Sequence, residues 1–344
     1  MHPMRAAAVS PHMDSPFDEE ALERATREAD SRDEERASEG SEPVERASDH
    51  NYTPKSAFLE FGSTSIKFYV IEQAGEHACQ VEREMKIPWE LGLDVFQHRR
   101  ISPSTVTRCL ATLEAIQREY PEIPFPSVTA VGTAALREAQ NVEVFQRVLW
   151  DRLGLKIRII EGGIEAFLLE SGFRESVEVF PTALFDLGGG SLELVEYLSP
   201  NSTRKTSIHL GTIRLHCHLR HTRDLLEYIR EGRIVAERVL RTELLDHTLG
   251  YHELIGTAGT VRAIATVLRR EEFDLEDVQS LLQREIHGPV AYDIPPHRRK
   301  LLLPGLIILE AMFTCMGLER IVLRTASVKQ GLIGLTKVLP AGGL

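Results

Sequence analysis

Two similar strand–turn–strand patterns divide the chain into two halves. Apolar runs at 57–61 and 66–71 flank one polar turn, and runs at 182–186 and 192–197 flank another. Helical and extended hydrophobic patterns alternate after each pair of runs. The sequence therefore predicts an α/β fold of two related domains with a cleft between them.

The periodicity also predicts the elements that follow each turn. After the first turn they are a helix, a strand, a helix, a strand and a further helix, at 104–120, 128–131, 141–154, 156–160 and from about 164. After the second turn they are a long helix, a strand, two helices, a strand and a closing helix, at 224–247, 251–255, 261–269, 298–317, 320–323 and 328–339. The predicted domains are 55–180 and 181–327, and the closing helix, about 328–340, can pack back on the first domain.

The first 54 residues have a different composition from the rest. Residues 1–52 hold 14 acidic side chains and 6 Lys or Arg, so most of the net charge of −11 lies there. This segment has few large apolar side chains and cannot bury enough surface to offset the entropy of ordering. It is predicted to be a disordered acidic tail, and the overall acidity says little about the ligand of the folded part.

The second turn carries the sharpest chemical pattern. Three consecutive glycines, which permit close approach of a ligand to the backbone, stand between two carboxylates. Exposed N–H groups and a hydroxyl form a cradle for phosphate oxygens, and the two carboxylates suit Mg²⁺ or Mn²⁺. The predicted phosphate-binding residues are Gly188, Gly189, Gly190 and Ser191, and the predicted metal-linked residues are Asp186 and Glu193.

The first turn repeats this pattern 126 residues earlier. Glu60 stands at the position of the first carboxylate, and a Gly-Ser-Thr-Ser turn replaces the three glycines and serine. The turn alone is a weak signal, but its register with the second turn predicts a second phosphate contact. Its candidate residues are Gly62, Ser63, Thr64 and Ser65, with Glu60 as a further metal ligand.

Three other patterns follow predicted strands. Glu165 opens a helix and can orient or deprotonate a water, although an acid in a first helical turn is also explained by the helix dipole. Arg137 can clamp a phosphate, or be a surface residue. The Gly-Thr-Ala-Gly-Thr turn can bind an anion at a helix N-terminus or serve packing alone, through Gly256, Thr257, Gly259 and Thr260.

Other classes of site are not supported. The chain has neither a Gly-x-x-x-x-Gly-Lys-Ser/Thr loop nor a Gly-x-Gly-x-x-Gly turn after a strand. The four cysteines are scattered, which fits a reducing cytoplasm. The apolar stretch 301–318 is short for a membrane span and is interrupted by Pro304 and Glu310, so it predicts a buried helix. We expect neither a nucleic-acid nor a membrane partner, and a homodimer is left open.

Taken in order, these motifs resemble the exopolyphosphatase and guanosine pentaphosphate phosphohydrolase family, within the actin-like phosphotransferase superfamily. The resemblance runs from about residue 57 to 338 and includes Leu-Gly-Thr-Ile-Arg-Leu at 210–215. It implies two actin-like (ribonuclease H-like) domains, in the short form without additional C-terminal helical domains. It also implies Glu165 as the catalytic glutamate, metal-linked roles for Asp186 and Glu193, and phosphate binding by Arg137.

The resemblance implies Mg²⁺-dependent release of terminal phosphate from inorganic polyphosphate, or from guanosine pentaphosphate, in the cytoplasm. Glu60, Thr64 and Lys329 depart from the family pattern. Two other classes therefore stay open. One is an actin-like ATPase or kinase, and the other is a nonenzymatic sensor of polyphosphate or guanosine pentaphosphate.

Overall fold

Two β-sheets flanked by helices form the framework of the protein. A computed structural model describes residues 56–73, 79–245, 250–251, 253–288, 291–324 and 331, all within one compact unit. The predicted tail and, apart from residue 331, the predicted closing helix lie outside the described residues. The predicted division at residue 180 falls between the two sheets and stays a prediction.

The first sheet has five strands in the order β3-β2-β1-β4-β5. The first three strands pair antiparallel, and β4 and β5 add parallel strands beside β1. Their bounds are β1 Ser56–Phe61, β2 Ser65–Gln73, β3 Cys79–Pro88, β4 Thr129–Gly132 and β5 Ile157–Ile159.

The second sheet repeats this arrangement. Its order is β10-β11-β9-β6-β7-β8, in which β6, β7 and β8 pair antiparallel and β9 and β11 add parallel strands. The strands are β6 Thr182–Leu187, β7 Leu192–Ser199, β8 Ser202–Ile208, β9 Glu253–Thr257, β10 Glu272–Asp274 and β11 Arg320–Leu323. Because only β10 lacks a counterpart, the duplication that the two turns predicted extends through the sheets and confirms the α/β fold.

Helices connect the strands of each sheet. Their bounds are α1 Leu91–His98, α2 Pro103–Glu119, α3 Ala134–Glu138, α4 Val142–Leu153, α5 Gly162–Phe173, α6 Thr212–His218, α7 Leu225–Glu243, α8 Ala258–Leu268, α9 Leu275–His287 and α10 Pro296–Met316. The periodicity predicted α2, α4, α5, α7, α8 and α10 to within a few residues, but not the short α1, α3 and α6, nor α9. Ser102 caps α2 by accepting a hydrogen bond from Thr105 N–H, and Gly154 ends α4 in a left-handed conformation.

Helix α5 lies between the two sheets, which explains why it is apolar on several sides. Leu168 packs with Phe58 and Val131 of the first sheet, whereas Leu169 packs with Leu184 of the second. Buried Gly331 lies against the backbone of Leu168. A helix held from both sides gives its first turn, which carries Glu165, a fixed position.

The predicted buried helix is α10. Its residues 304–313 are all buried, and they pack in the main core of the second sheet. Pro304 lies inside the helix and Glu310 pairs with Arg233 through two hydrogen bonds of 2.6 and 2.8 Å. None of the described helices is long and apolar enough to cross a membrane.

Candidate active site

The two turns predicted from the sequence face a common cavity of about 370 Å³. We call residues 62–65 the first loop and residues 188–191 the second loop. The predicted site residues that line the cavity are Glu60, Gly62, Ser63, Thr64, Ser65, Glu165, Asp186, Gly188, Gly189, Gly190, Ser191, Glu193 and Gly259. Two strand turns that are 126 residues apart in the chain thus form one site.

The two loops have the same backbone geometry. Gly62 N–H donates to the carbonyl of Ser65, and Gly188 N–H donates to the carbonyl of Ser191, each over 3.0 Å. A Cβ on either glycine would lie 3.2 Å from that carbonyl oxygen. Both turns line the cavity, where a phosphate cradle would be formed by backbone N–H groups and hydroxyls, and the side chains of Ser63, Ser65 and Ser191 are buried in its walls.

The glycines of the second loop also have a packing role that the sequence did not reveal. A Cβ on Gly189 would lie 2.8 Å from Thr64 Cγ2, and one on Gly190 would lie 2.6 Å from Ser63 Oγ. Real side chains do not tolerate such distances, so these glycines let the two loops pack directly against each other. Approach of a ligand, the reason inferred from the sequence, is therefore not their only role.

Arg214 of α6 ties the second loop to the helices of the first sheet. Its Nε donates to the carbonyl of Gly190 over 2.7 Å, and its guanidinium forms an ion pair with Glu138. The same guanidinium lies 4.3 Å above the ring of Phe96 in α1. Burial alone would raise the pKa of Glu138, but the hydrogen bond and the charge of Arg214 outweigh this effect and lower it. The Glu138 carboxylate is therefore ionised at neutral pH.

Three of the carboxyl groups that line the cavity have raised pKa values. Burial, opposed by Arg137 and assisted by Glu60 and Asp186, raises the pKa of Glu165 to about 7. Burial also raises the pKa of Asp186, and burial together with Glu165 and Asp186 raises that of Glu193 well above its usual value. These carboxyls are poised either to share protons or to be neutralised by a cation.

Glu165 is held by Arg137 rather than by solvent. Arg137 Nη1 donates to Glu165 Oε1 over 2.9 Å and also donates to the carbonyl of Ile160. Arg137 itself does not line the cavity. The sequence placed Arg137 on phosphate, whereas its described contacts are with the carboxylate of Glu165.

Glu193 accepts a hydrogen bond from the edge strand of the second sheet. Ser207 Oγ of β8 donates to Glu193 Oε1 over 3.0 Å. The first turn of α5 passes so close to this serine that a Cβ on Gly162 would lie 2.3 Å from Ser207 Oγ. The glycine therefore allows Glu165 and Glu193 to occupy neighbouring positions.

Glu60 has a cationic partner that the sequence analysis missed. Lys67 Nζ lies 2.6 Å from Glu60 Oε1. Burial alone would lower the pKa of Lys67. The negative charges of Glu60 and Asp186 outweigh this effect, so the pKa of the lysine is raised. Alternation along β2 puts Ser65, Lys67 and Tyr69 on one face, so the strand pattern already contained the signal.

Part of the cavity lining is basic, and we call it the cationic wall. Lys86 of β3, Arg262 of α8 and Arg298 of α10 line it, and none of the three forms an ion pair with another described residue. Partial burial and the charges of Arg298, Lys67 and Arg262 lower the pKa of Lys86. Three basic side chains in the lining of one cavity, none in an ion pair within the described part of the chain, favour an anionic ligand.

The N-terminus of α8 opens on the same wall. Ala258 and Gly259 line the cavity, and Ala258 has a left-handed φ of 71° that is strained for a residue with a side chain. A Cβ on Gly259 would lie 2.3 Å from Arg298 Cζ. The glycine thus leaves the space in which the guanidinium of Arg298 lies.

Gly256, Thr257 and Thr260 do not line the cavity. Thr257 Oγ1 donates to the carbonyl of Phe185 over 3.0 Å, and Thr260 and Gly256 pack against neighbouring elements. Besides Lys67, the lining residues that are not among the predicted site residues are Tyr69, Glu84, Lys86, Thr133, Leu187, Ala258, Arg262 and Arg298.

The donor set fits a hard divalent cation that is shared with a phosphate. In the described part of the chain, no three His, Cys, Asp or Glu side chains lie close enough to hold a metal ion by themselves. Mg²⁺ needs only one or two carboxylates when phosphate oxygens and water complete its shell. Glu60 Oε2 is buried and has no hydrogen-bond partner among the described residues, and such an orphaned carboxylate oxygen is an available ligand.

Comparisons with known proteins agree with this geometry. The profile of the Ppx/GppA phosphatase family matches residues 70–336. A guanosine-5'-triphosphate,3'-diphosphate pyrophosphatase from Aeromonas hydrophila is 28% identical over 302 residues, covering 83% of this chain and 59% of that protein. The chain therefore spans less than two thirds of the length of this curated relative.

Two solved structures share the fold. An exopolyphosphatase from Cytophaga hutchinsonii superposes with a TM-score of 0.71 and 18% identity, covering 83% of this chain and 98% of that one. The Aquifex aeolicus member of the Ppx/GppA family superposes with a TM-score of 0.62 and 18% identity, covering 82% and 97%. At this identity the likeness concerns the fold alone.

Proposed function

The chain belongs to the Ppx/GppA phosphatase family, and from this premise we propose that it hydrolyses the terminal phosphoanhydride bond of a phosphate chain. The substrate would be inorganic polyphosphate or the 5′-triphosphate of guanosine pentaphosphate. The observation that carries the proposal is the placement of the Glu165 carboxylate in a cavity that both phosphate-cradling loops line.

In this reaction Glu165 accepts a proton from a water molecule while the water oxygen attacks the terminal phosphorus. The bond between that phosphorus and the bridging oxygen breaks, and the electron pair leaves on the shortened phosphate chain. A base with a pKa of about 7 is well matched to proton transfer at neutral pH. Arg137 orients the carboxylate through its hydrogen bond to Oε1.

The loops and the cationic wall supply positioning and charge stabilisation. Backbone N–H groups and hydroxyls of the two loops would hold the terminal phosphate. Lys86, Arg262 and Arg298 would neutralise the phosphates that remain on the leaving group. Phosphoryl transfer depends mainly on such electrostatic positioning, because the protein has little covalent chemistry to perform.

We propose Mg²⁺ or Mn²⁺ as the cofactor, held by Asp186 and Glu60 with support from Glu193. A bound divalent cation would reduce the negative charge on the phosphate oxygens. The crowding of three carboxyls and the orphaned Glu60 Oε2 support this choice. We also propose a cytoplasmic location, in keeping with the free thiols of Cys109, Cys217 and Cys315.

A phosphate-release assay tests the proposal directly. Tripolyphosphate, long-chain polyphosphate, guanosine pentaphosphate and ATP would be compared with Mg²⁺, with Mn²⁺ and with chelator. We expect release from at least one of the first three at a rate well above that from ATP. Faster release from ATP would select the actin-like ATPase, and binding of all four without release would select the sensor.

A further inference from the structure

The carbonyl groups of the first loop are held by donors that lie outside the cavity. Trp89 Nε1 donates to the carbonyl of Gly62 over 2.7 Å. The N–H of Gly92 donates to the carbonyl of Ser63 over 2.9 Å. The N–H of Trp89 donates to the carbonyl of Thr64 over 3.2 Å. Because neither donor residue lines the cavity, three consecutive carbonyls of this loop point away from it.

The second loop is held in the same way by the start of α6. The carbonyls of residues 188, 189 and 190 accept hydrogen bonds of 3.0, 2.9 and 2.7 Å. In that order, the donors are the N–H of Thr212, the N–H of Ile213 and the Nε of Arg214. None of these three residues lines the cavity. In each loop, two carbonyls are thus held by backbone N–H groups and one by a side chain, Trp89 in the first and Arg214 in the second.

A held carbonyl fixes the direction of the N–H group on the same peptide. In a planar trans peptide, the C=O and the N–H of the next residue point in opposite directions. The peptide whose carbonyl accepts from Trp89 carries the N–H of Ser63, and the one that accepts from Arg214 carries the N–H of Ser191. Both serines line the cavity, and neither N–H donates to another residue in the described part of the chain. These two N–H groups are therefore available to phosphate oxygens.

The donor segments are themselves fixed by packing. Trp89 is 4% exposed, and its ring centroid lies 5.6 Å from that of Phe61 and 6.2 Å from that of Phe145. A Cβ on Gly92 would lie 3.1 Å from Ile213 Cγ2, so the segment that holds the first loop packs on the segment that holds the second. The two loops therefore share one rigid support.

We propose that Trp89 and Arg214 are positioning residues for the phosphate chain. By bonding to the carbonyls of Gly62 and Gly190, they keep two backbone N–H groups, one in each loop, directed at the terminal phosphate. Donors that are already aligned with a charged group need no reorganisation when the reaction begins. This inference rests on the proposed function, because it assigns the two side chains to the phosphate site of that reaction.

The indole N–H of Trp89 gives a direct readout of this role. An anion that accepts from the Ser63 N–H polarises the same peptide and strengthens the bond from Trp89, since linked hydrogen bonds are cooperative. The chain has two tryptophans, and the other, Trp150, is 56% exposed and does not line the cavity. The probe is methylenediphosphonate with Mg²⁺, because its P–C–P link cannot be hydrolysed. In ¹H–¹⁵N spectra we expect saturation to move the Trp89 indole proton downfield and to leave that of Trp150 in place.

Two conservative variants remove the side-chain donors. Trp89→Phe keeps an aromatic ring in the same packing, and Arg214→Lys keeps a positive charge but has no donor at the Nε position. We expect each to weaken the binding of methylenediphosphonate about 5- to 10-fold in calorimetry, because hydrogen bonds to a charged acceptor are the strong ones. Trp150→Phe and Arg230→Lys, which replace exposed residues, are the matched controls and should bind as the wild type does.

Wild-type affinity in either variant would overturn the role of that residue. An unmoved Trp89 indole signal at saturation would overturn the inference as a whole, and so would a wild-type protein that does not bind methylenediphosphonate. The spectra are recorded on the wild-type chain, so they decide the question even if a variant fails to fold. The proposed function fails by a different result, the absence of phosphate release from every phosphate chain, and none of these binding measurements requires hydrolysis.

Discussion

Arg137 Nη1 lies 2.9 Å from Glu165 Oε1 and donates a hydrogen bond to it. The side chains of both residues are largely buried, with exposed fractions of 14% and 8%. A charged pair of this kind sets the orientation and the proton affinity of the carboxylate. Under the proposed function the pair makes Arg137 a positioning residue for Glu165, whereas the phosphate clamp that the sequence predicted stays a prediction.

Replacement of Arg137 by Gln tests this role. Arg137 lowers the pKa of Glu165 against the effect of burial, so its loss should raise that pKa further above about 7. We expect kcat to fall about 10- to 100-fold at pH 7 and the acidic limb of the kcat–pH profile to move to higher pH. KM should change little.

Kinetics across pH 5.5–9.5 distinguish this from direct phosphate binding. A large rise in KM with an unshifted pH profile would show that Arg137 acts on the substrate. Arg137→Lys, which retains the positive charge but not the two-pronged geometry, should recover part of the profile shift. A surface control such as Arg158→Gln, an exposed residue on β5, should leave both parameters unchanged.

Glu165→Gln should remove most of the turnover. The amide keeps the shape of the carboxylate but cannot accept the proton, and loss of a general base typically costs ~10²–10⁴-fold in rate. The wild-type kcat should rise with pH up to about 7 and then level, because only the ionised form of Glu165 is active. Phosphate release at the wild-type rate by the variant would refute the assignment.

The same residue should make the stability of the metal-free protein depend on pH. The folded protein holds the proton of Glu165 up to about pH 7, whereas the unfolded chain releases it near the usual value of 4.5. The folded state therefore binds more protons between these values, and stability falls as pH rises through that window. Because Glu165 also raises the pKa of Glu193, both groups act in the same direction.

Glu165→Gln should flatten this decline and stabilise the protein above pH 7, by an amount on the order of 3 kcal/mol. Urea unfolding at pH 5 and pH 8 with a metal chelator measures the difference. An equal effect of the substitution at both pH values would mean that Glu165 is ionised throughout. The variant would then combine lost activity with unchanged pH dependence.

The strand pairs and both loops could be predicted because their signals are local. Glu60 and Asp186 each stand two residues before the glycine that opens a tight turn, and this glycine, the serine and the flanking apolar runs lie close together in the sequence. Repetition at a constant spacing then predicted that the two loops share a site. Three carboxylates of the cavity, Glu60, Asp186 and Glu193, were found for the same reason.

The cationic wall could not be found in this way, because it forms only through tertiary packing. Lys86 lies on the edge strand β3, whose polar sequence has little hydrophobic pattern. Arg298 belongs to a run of basic residues, 297–300, that reads as a solvated surface. Only the fold shows that Arg298 lines the cavity, whereas its neighbour His297 does not.

Two adjacent glycines at the start of α5 provide a matched pair of substitutions. A Cβ at Gly162 would lie 2.3 Å from Ser207 Oγ and 2.5 Å from Ser207 Cβ, whereas one at Gly163 would meet no atom within 4 Å. Gly162→Ala should therefore displace the Glu193–Ser207 hydrogen bond, lower activity at least 10-fold and destabilise the fold. Gly163→Ala should stabilise it by ~0.5–1 kcal/mol, since alanine favours a helix.

Thermal unfolding and phosphate release measured on both variants check this contrast. Ser207→Gly in the background of Gly162→Ala removes the obstructing Cβ and should restore part of the stability. It should not restore full activity, because the hydroxyl that supports Glu193 is then absent. Equal behaviour of Gly162→Ala and Gly163→Ala would show that the first turn of α5 adjusts freely.

Gly259→Ala tests whether the position of Arg298 matters for the phosphates. The added methyl would overlap the guanidinium, with 2.3 Å between Cβ and both Arg298 Cζ and Nη2. The end of a long side chain can move away at little cost, so the melting temperature should stay within ~2 °C of wild type. Displacement of a cation from the wall should instead raise KM for tripolyphosphate, by about 10-fold.

A double-mutant cycle completes this test. Arg298→Ala alone should raise KM by a similar factor, and the double variant should be no worse than either single variant, because both remove the same contact. Additive losses would place the two residues in independent roles. A lower melting temperature for Gly259→Ala, with KM unchanged, would assign the glycine to packing of α8 and leave Arg298 without a part in holding the phosphate chain.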